Sequence, residues 1–191
     1  MKVSKAQAQE NRMRIVETAS VLFRERGYDG VGVAELMSAA GFTHGGFYKH
    51  FASKADLMLE AVACGFAQSQ AKTEGKDIAQ IVEQYLSREH RNGIGDGCVM
   101  AALSTDAARQ PDSVKELFAV GIERQLAMLT QGGDGAGETR AAAIDTLAHL
   151  VGAVVLSRAC PQGSALADEI LQVCRTRILD AEGSQAKSAA Q

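Results

Sequence analysis

The stretch that most constrains this chain is Gly41-Phe-Thr-His-Gly-Gly-Phe-Tyr-Lys-His-Phe-Ala-Ser-Lys54. Before it, Val33, Leu36, Met37 and Ala40 fall at i, i+3, i+4 and i+7, one face of a short helix. Gly41 ends that helix, because glycine enters the left-handed region at little steric cost. Thr43 is placed to cap a second helix by accepting a hydrogen bond from a first-turn amide. Phe47 and Phe51, four apart, anchor it. Helix, tight glycine turn and short helix make the pattern of a DNA-binding helix-turn-helix.

His44, Tyr48, Lys49 and His50 crowd hydrogen-bonding groups onto this second helix, with Lys54 just beyond. Gly45 and Gly46 each cost a helix about 1 kcal/mol relative to alanine. Such a pair suits a backbone that must approach a phosphate or a base edge. The alternative is a small solvated helix on an apolar anchor, with Tyr48 and His50 packed in the core.

Charge follows the same division. The 191 residues carry a net charge of −3, yet the first 54 hold eight Lys and Arg against five Asp and Glu, a net +3. The remainder holds twelve against eighteen, a net −6. A basic head on an acidic body suits a protein that presents one end to a polyanion.

The stretch Gly41 to Leu57 resembles the signature of the TetR/AcrR family of transcriptional regulators: a glycine turn, Tyr-x-His-Phe, Ser-Lys and then a leucine. Ile15, Ala19, Leu22, Phe23, Gly27 and Tyr28 fit the same family's first helix. The likeness covers roughly residues 10 to 66; beyond, only length and helical character agree. It implies an all-α fold of about nine helices. A three-helix helix-turn-helix head (residues 1–52) joins a helical effector-binding and dimerisation body (residues 53–191). It further implies phosphate contacts from Thr43, Tyr48, His50 and Lys54, and His44, Gly45 and Lys49 on the major-groove floor, with Gly46 beside them. Gly32 departs from the family, which often has Thr or Ser there to cap and touch phosphate.

Along the chain, residues 1–9 read as a polar, disordered lead. Helices are expected from about Glu10 to Arg26, from Ser53 to about Gln70, from Asp77, and from Cys98 to Arg109. Others follow from Asp112 or Ser113, from Glu138 to Ala159, and from Ser164 to Ala181 before a frayed tail. Asn92–Gly97 and Gly132–Gly137 read as loops. With 46% apolar residues, 5% aromatic and only two prolines, long helices around an aliphatic core are favoured. No uninterrupted run of about 18 apolar residues and no secretory h-region is present, so a cytoplasmic protein without a membrane span is expected.

The resemblance places an effector pocket among the middle helices, with Phe66, Met100, Leu103, Phe118 and Ile122 as candidates, ordinary core being the other reading of each. Cys98 follows Gly-Asp-Gly at a helix start, where the dipole favours a thiolate. It is either a redox or electrophile sensor or a small packed residue. The four cysteines fit no zinc pattern, the four histidines are scattered, and no P-loop, nucleophile elbow or dinucleotide fingerprint occurs, so no metal, cofactor or catalytic residue is expected. Two readings result. One is a homodimeric regulator, a repressor released from a palindromic operator by a small-molecule effector, or by a thiol switch at Cys98. Its subunits pair through the last two helices, where Val151, Val155, Leu166 and Ile170 lie in suitable pairs. The other is a helical enzyme or protein-interaction module with a coincidental head.

Overall fold

The structure, a computed structural model, describes residues 4–131 and 140–189. These form nine α-helices and one 3₁₀ helix, with no strand among the described residues. The order is α1 (Lys5–Arg26), α2 (Val33–Ala39), the 3₁₀ helix (His44–Lys49), α3 (Lys54–Thr73), α4 (Ile78–Tyr85), α5 (Arg88–Asn92), α6 (Val99–Ala107), α7 (Asp112–Gln131), α8 (Arg140–Arg158) and α9 (Ala165–Ala189). The chain divides into two compact units, Met1–Ser69 with Ile94–Ala119, and Gln70–Gly93 with Val120–Gln191. The glycine-rich loop expected at Gly132–Gly137 lies outside the described residues.

In the first unit, α1 starts five residues before the expected Glu10. Ser4 explains this: its hydroxyl accepts from Gln7 N at 3.1 Å, and Lys5 to Gln9 are good helix formers. Ile15, Val16, Ala19 and Phe23 bury one face. Gly27, at φ +74°, ends the helix and donates to Phe23 O at 2.8 Å. Gly41, at φ +84°, turns the chain out of α2, whose Leu36 and Met37 are fully buried. Ser53 caps α3, accepting from Asp56 N at 3.1 Å, while Asp56 accepts from Ala52 N at 3.1 Å.

Leu57, Met58, Ala61, Val62 and Phe66 form the buried face of α3. Gly65, on the same face, lets α3 lie close against α1 and α6. A Cβ there would lie 2.5 Å from Val99 Cγ2, 2.6 Å from Arg24 Nη1 and 3.0 Å from Ser20 Oγ. The Arg24 guanidinium, 3% exposed, is held by neutral acceptors: Nε donates to Gly95 O at 2.5 Å, Nη1 to Ser20 Oγ at 3.1 Å and Nη2 to Gln68 Oε1 at 3.0 Å. Burial lowers its pKa, against Asp96, the strongest of the charges that raise it.

In the second unit, Asp77 opens α4 with a reciprocal capping box: it accepts from Gln80 N at 2.8 Å while its own N–H donates to Gln80 Oε1 at 3.1 Å. Leu126, Leu129 and Ala143 form a cluster joined by Ile78, Ile122 and Leu147. Arg88–Asn92 form the short α5 because Ser87 accepts from His90 N at 3.1 Å, so Asn92 ends a helix rather than opening the expected loop. Arg88 and Arg91 both donate to Asp168 of α9, and Arg158 of α8 donates to the carbonyls of His90 and Arg91 at 2.9 Å. Asp168 is held below the usual carboxylate range chiefly by its bond from Arg88.

Helix α8 buries Ala143, Thr146, Leu150, Ala153, Val154 and Ser157, and its opposite side stays open. Ile144, Val155 and Leu156 on α8, with Leu166 and Val173 on α9, are each at least 40% exposed. The 19-residue α8 is long and apolar enough by composition to cross a membrane, with mean hydropathy 1.4. This departs from the expectation based on uninterrupted apolar runs, because small residues and only scattered charges raise the average. A third of that window is buried within the protein. Helix α9 continues to Ala189, past the expected end at Ala181.

Gly65→Ala should destabilise the fold by about 1–3 kcal/mol, the usual scale of forced overpacking. Urea unfolding followed by circular dichroism measures it, and an unchanged midpoint would mean that α1 and α6 yield without strain.

Candidate nucleic-acid interface

The segment after Gly41 is shorter and tighter than the α-helix expected from its spacing. His44–Lys49 winds as a six-residue 3₁₀ helix. Its first bond runs from Gly46 N to Thr43 O at 2.9 Å. Thr43 occupies the capping position, φ −81° and ψ 148°, but its hydroxyl makes no capping bond. The i→i+3 winding gives the Gly46 amide to the Thr43 carbonyl instead. At the head of α2, Gly32 likewise caps without a side chain.

Phe47 and Phe51 fix this segment, 1% and 2% exposed with ring centroids 5.5 Å apart. Everything around Phe47 turns outward. Thr43, His44, Gly45, Tyr48 and Lys49 are exposed, and Gly46 and His50 half-buried. Tyr48 is 71% exposed and meets Phe47 edge-on at 5.2 Å, so its ring does not enter the core as one reading supposed. Adjacent apolar residues of a 3₁₀ turn point about 120° apart, and the core takes only one of them.

Neither glycine is required by the fold. Both have ordinary φ. A Cβ on Gly45 would meet nothing within 4 Å, and one on Gly46 only makes ordinary contact with Met37 at 3.5 Å.

The nearby cations fall into two groups. Arg12 forms a two-pronged pair with Glu60 and stacks 4.3 Å from the Phe51 ring centroid. Arg26 pairs with Glu35. Lys54, expected at a phosphate, donates from Nζ to Tyr28 O at 2.5 Å in the protein alone. Its four-carbon stem reaches back from the start of α3 to the carbonyl of buried Tyr28, just after α1. Lys49 has no such partner among the described residues. His50 is held below the ordinary imidazole range by burial first, then by the Arg12 and Lys49 charges, and is therefore neutral at pH 7.

The expected effector residues are buried or partly buried. Phe66 and Phe118 meet edge-on at 5.5 Å in the first unit, where Cys98, Met100 and Leu103 are also buried. Ile122 instead packs on the Leu126 cluster of the second unit. Of these candidates only Leu103 borders a narrow crevice in the first unit, together with Ser20, Phe23, Arg24, Tyr28 and Val99. Arg24 was the buried charge missed in sequence; its position four after Ser20 and beside Phe23 puts it on the inward arc of α1. Cys98 stands before α6 as expected and is 6% exposed. No group of three or more His, Cys, Asp or Glu able to hold a metal occurs among the described residues.

An all-helical chain whose short recognition segment is pinned by two phenylalanines behind an outward polar face is a helix-turn-helix protein. Residues 15–61 match the model of the family described as bacterial regulatory proteins, tetR family. That match lies within the head, and there the chain is similar to the family. It is 40% identical over 57 residues to the HTH-type transcriptional regulator AcrR of Shigella flexneri, covering 30% of this chain and only 26% of that protein. With the HTH-type transcriptional repressor NemR of Escherichia coli it shares 26% identity over 132 residues, 64% of this chain and 66% of NemR. The crystal structure of reduced E. coli NemR superposes with a TM-score of 0.75 at 21% identity, covering 88% of this chain and 95% of that one. AibR, solved with isovaleryl coenzyme A and operator DNA, superposes at 0.60 with 16% identity, covering 88% and 97%. These structural likenesses establish the fold.

The inward bond of Lys54 predicts that Lys54→Met lowers stability by about 1 kcal/mol, the worth of a partly screened charged hydrogen bond. Thermal and urea unfolding of the unliganded protein measure this; unaltered stability would leave Lys54 free for DNA.

Proposed function

We propose that this protein is a homodimeric DNA-binding transcription regulator of the cytoplasm, a repressor that leaves a palindromic operator when its helical body takes up a small-molecule effector. The observation that carries the reading is the pair of glycines on the outward face. Gly45 and Gly46 weaken a helix that does not need them for φ or for packing. A missing side chain there makes sense when an external surface comes close, as the floor of a major groove does.

In this reading Lys49 and His44 reach base edges, while Thr43, Tyr48 and His50 face phosphates. Lysine donates to the O6 and N7 acceptors of guanine. A neutral His50 still has one N–H to donate, and a phosphate beside it favours its protonation. Lys54 serves a phosphate by exchanging its bond to Tyr28 O. One short segment reads few bases, so two heads on two half-sites are needed.

The open apolar side of α8 and α9 supports pairing of two copies. Ile144, Val155, Leu156, Leu166 and Val173 give a self-complementary surface of the kind a two-fold interface uses. The same exposure supports association over membrane crossing for α8. AibR, which shares the fold, was solved with both an acyl-coenzyme A and operator DNA. That pairing supports effector control of DNA binding here. The burial of Cys98 supports a packing role, so a reversible ligand rather than a thiol switch is the reading taken forward.

Selection from a random duplex library tests the function. The protein should enrich an inverted repeat, and Lys49→Ala should relax one or two positions per half-site by about 1–3 kcal/mol each. No enrichment over bulk DNA would overturn the reading. Pairing is tested by light scattering. Val155→Arg and Leu166→Arg should give folded monomers with weakened operator binding, and two dimeric variants would move the interface elsewhere.

A further inference from the structure

Seven cations belong to the described part of the head, and most are already committed within the chain. Arg12 pairs with Glu60, Arg26 with Glu35, Arg24 is buried on three neutral acceptors, and Lys54 donates to Tyr28 O. Lys5, Arg14 and Lys49 have no hydrogen-bond or ion-pair partner for their charge among the described residues. Lys5 opens α1, about 13 Å of helix rise from Arg14. Arg14 stands at the turn itself.

Its guanidinium carbon lies 5.7 Å from the centroid of Phe42, and a Cβ on Gly41 would come within 3.0 Å of Nη2. Gly41 and Phe42 are the residues that lead into Thr43 and the 3₁₀ helix. His50, whose ring centroid is 6.3 Å from that of Phe42, shares this ring with Arg14. An exposed arginine usually loses much side-chain entropy on ordering. Here the guanidinium already sits over a ring, so its charge is held beside the recognition segment at reduced cost.

We infer that Arg14 is a DNA-backbone contact of the head, a phosphate-binding arginine supplied by α1 and aimed over the glycine turn. The inference rests on the DNA-binding reading above. It adds a phosphate-binding charge from α1 beside the recognition segment, one that, unlike Lys54, has no internal bond to exchange. A phosphate oxygen accepts from the Arg14 fork without any carboxylate having to be displaced, unlike Arg12 and Arg26. Such a contact adds affinity for every duplex alike and carries no base preference.

The experiment compares the parent with Arg14→Met, Arg14→Lys and Arg26→Met. Binding is measured from low to moderate KCl on a duplex enriched by the parent and on a shuffled duplex of the same length and composition. Arg14→Met keeps an apolar stem on Phe42 and removes the charge. It should weaken both duplexes by the same factor, roughly 5–20-fold, and reduce the salt slope by about one per contact. Arg14→Lys should recover most of the slope. Arg26→Met should leave it unchanged. A parent-like slope in Arg14→Met with unchanged melting overturns the assignment while leaving DNA binding intact, as does a loss confined to particular base positions. If Arg14→Met loses binding only in step with its melting temperature, and Arg14→Lys recovers stability but not slope, the residue is structural and the assignment fails. A parent that enriches no duplex overturns the DNA-binding reading and this inference with it.

Discussion

A six-residue 3₁₀ helix has no independent stability, so the recognition segment exists only because Phe47 and Phe51 are buried. Their rings hold the segment against the first unit while Thr43, His44, Gly45, Tyr48 and Lys49 face out. The same constraint explains its winding. A tighter turn lets one phenylalanine reach the core from a segment that also holds two glycines. It also gives the Gly46 amide to the Thr43 carbonyl, which releases the Thr43 hydroxyl from capping.

Around this anchor the basic residues are divided by depth. Arg24 lies inside, bonded to Ser20, Gln68 and the Gly95 carbonyl, and so links α1, α3 and the loop before α6. Gly65 gives it room. Burying an arginine without a carboxylate is costly, and three well-placed acceptors offset part of that cost. Arg12 occupies a middle depth, half-buried between Glu60 and Phe51. Arg14 and Lys49 remain outside. Net charge alone would treat all of these as equivalent, but only the outer ones are available to a polyanion.

The second unit solves a different problem. Its α8 is apolar around much of its circumference, which a single core cannot cover. One side packs within the unit, where Arg158 also caps carbonyls at the end of α5 and Arg91 meets Asp168. The other side is left apolar and open, a state that soluble helices keep mainly where a partner covers them.

The sequence by itself determined the local elements. The helical segments of the first 66 residues, though not the early start of α1 or the 3₁₀ winding after Gly41, were legible, as were the stop at Gly41, the Asp77 cap and the Phe47–Phe51 anchor, because each depends on neighbours three or four positions away. So was the likeness of the head to the tetR family, carried by the stretch from Gly41 to Leu57. The tertiary structure decided what depends on contacts distant in sequence. It drew Lys54 inward to a carbonyl 26 residues away. It buried Arg24 against a loop 71 residues away. It turned Tyr48 out of the core and packed Ile122 against the cluster of Leu126, Leu129 and Ala143. Periodicity shows which face of a helix is apolar. It does not show which polar side chain finds a partner, because that partner comes from another helix.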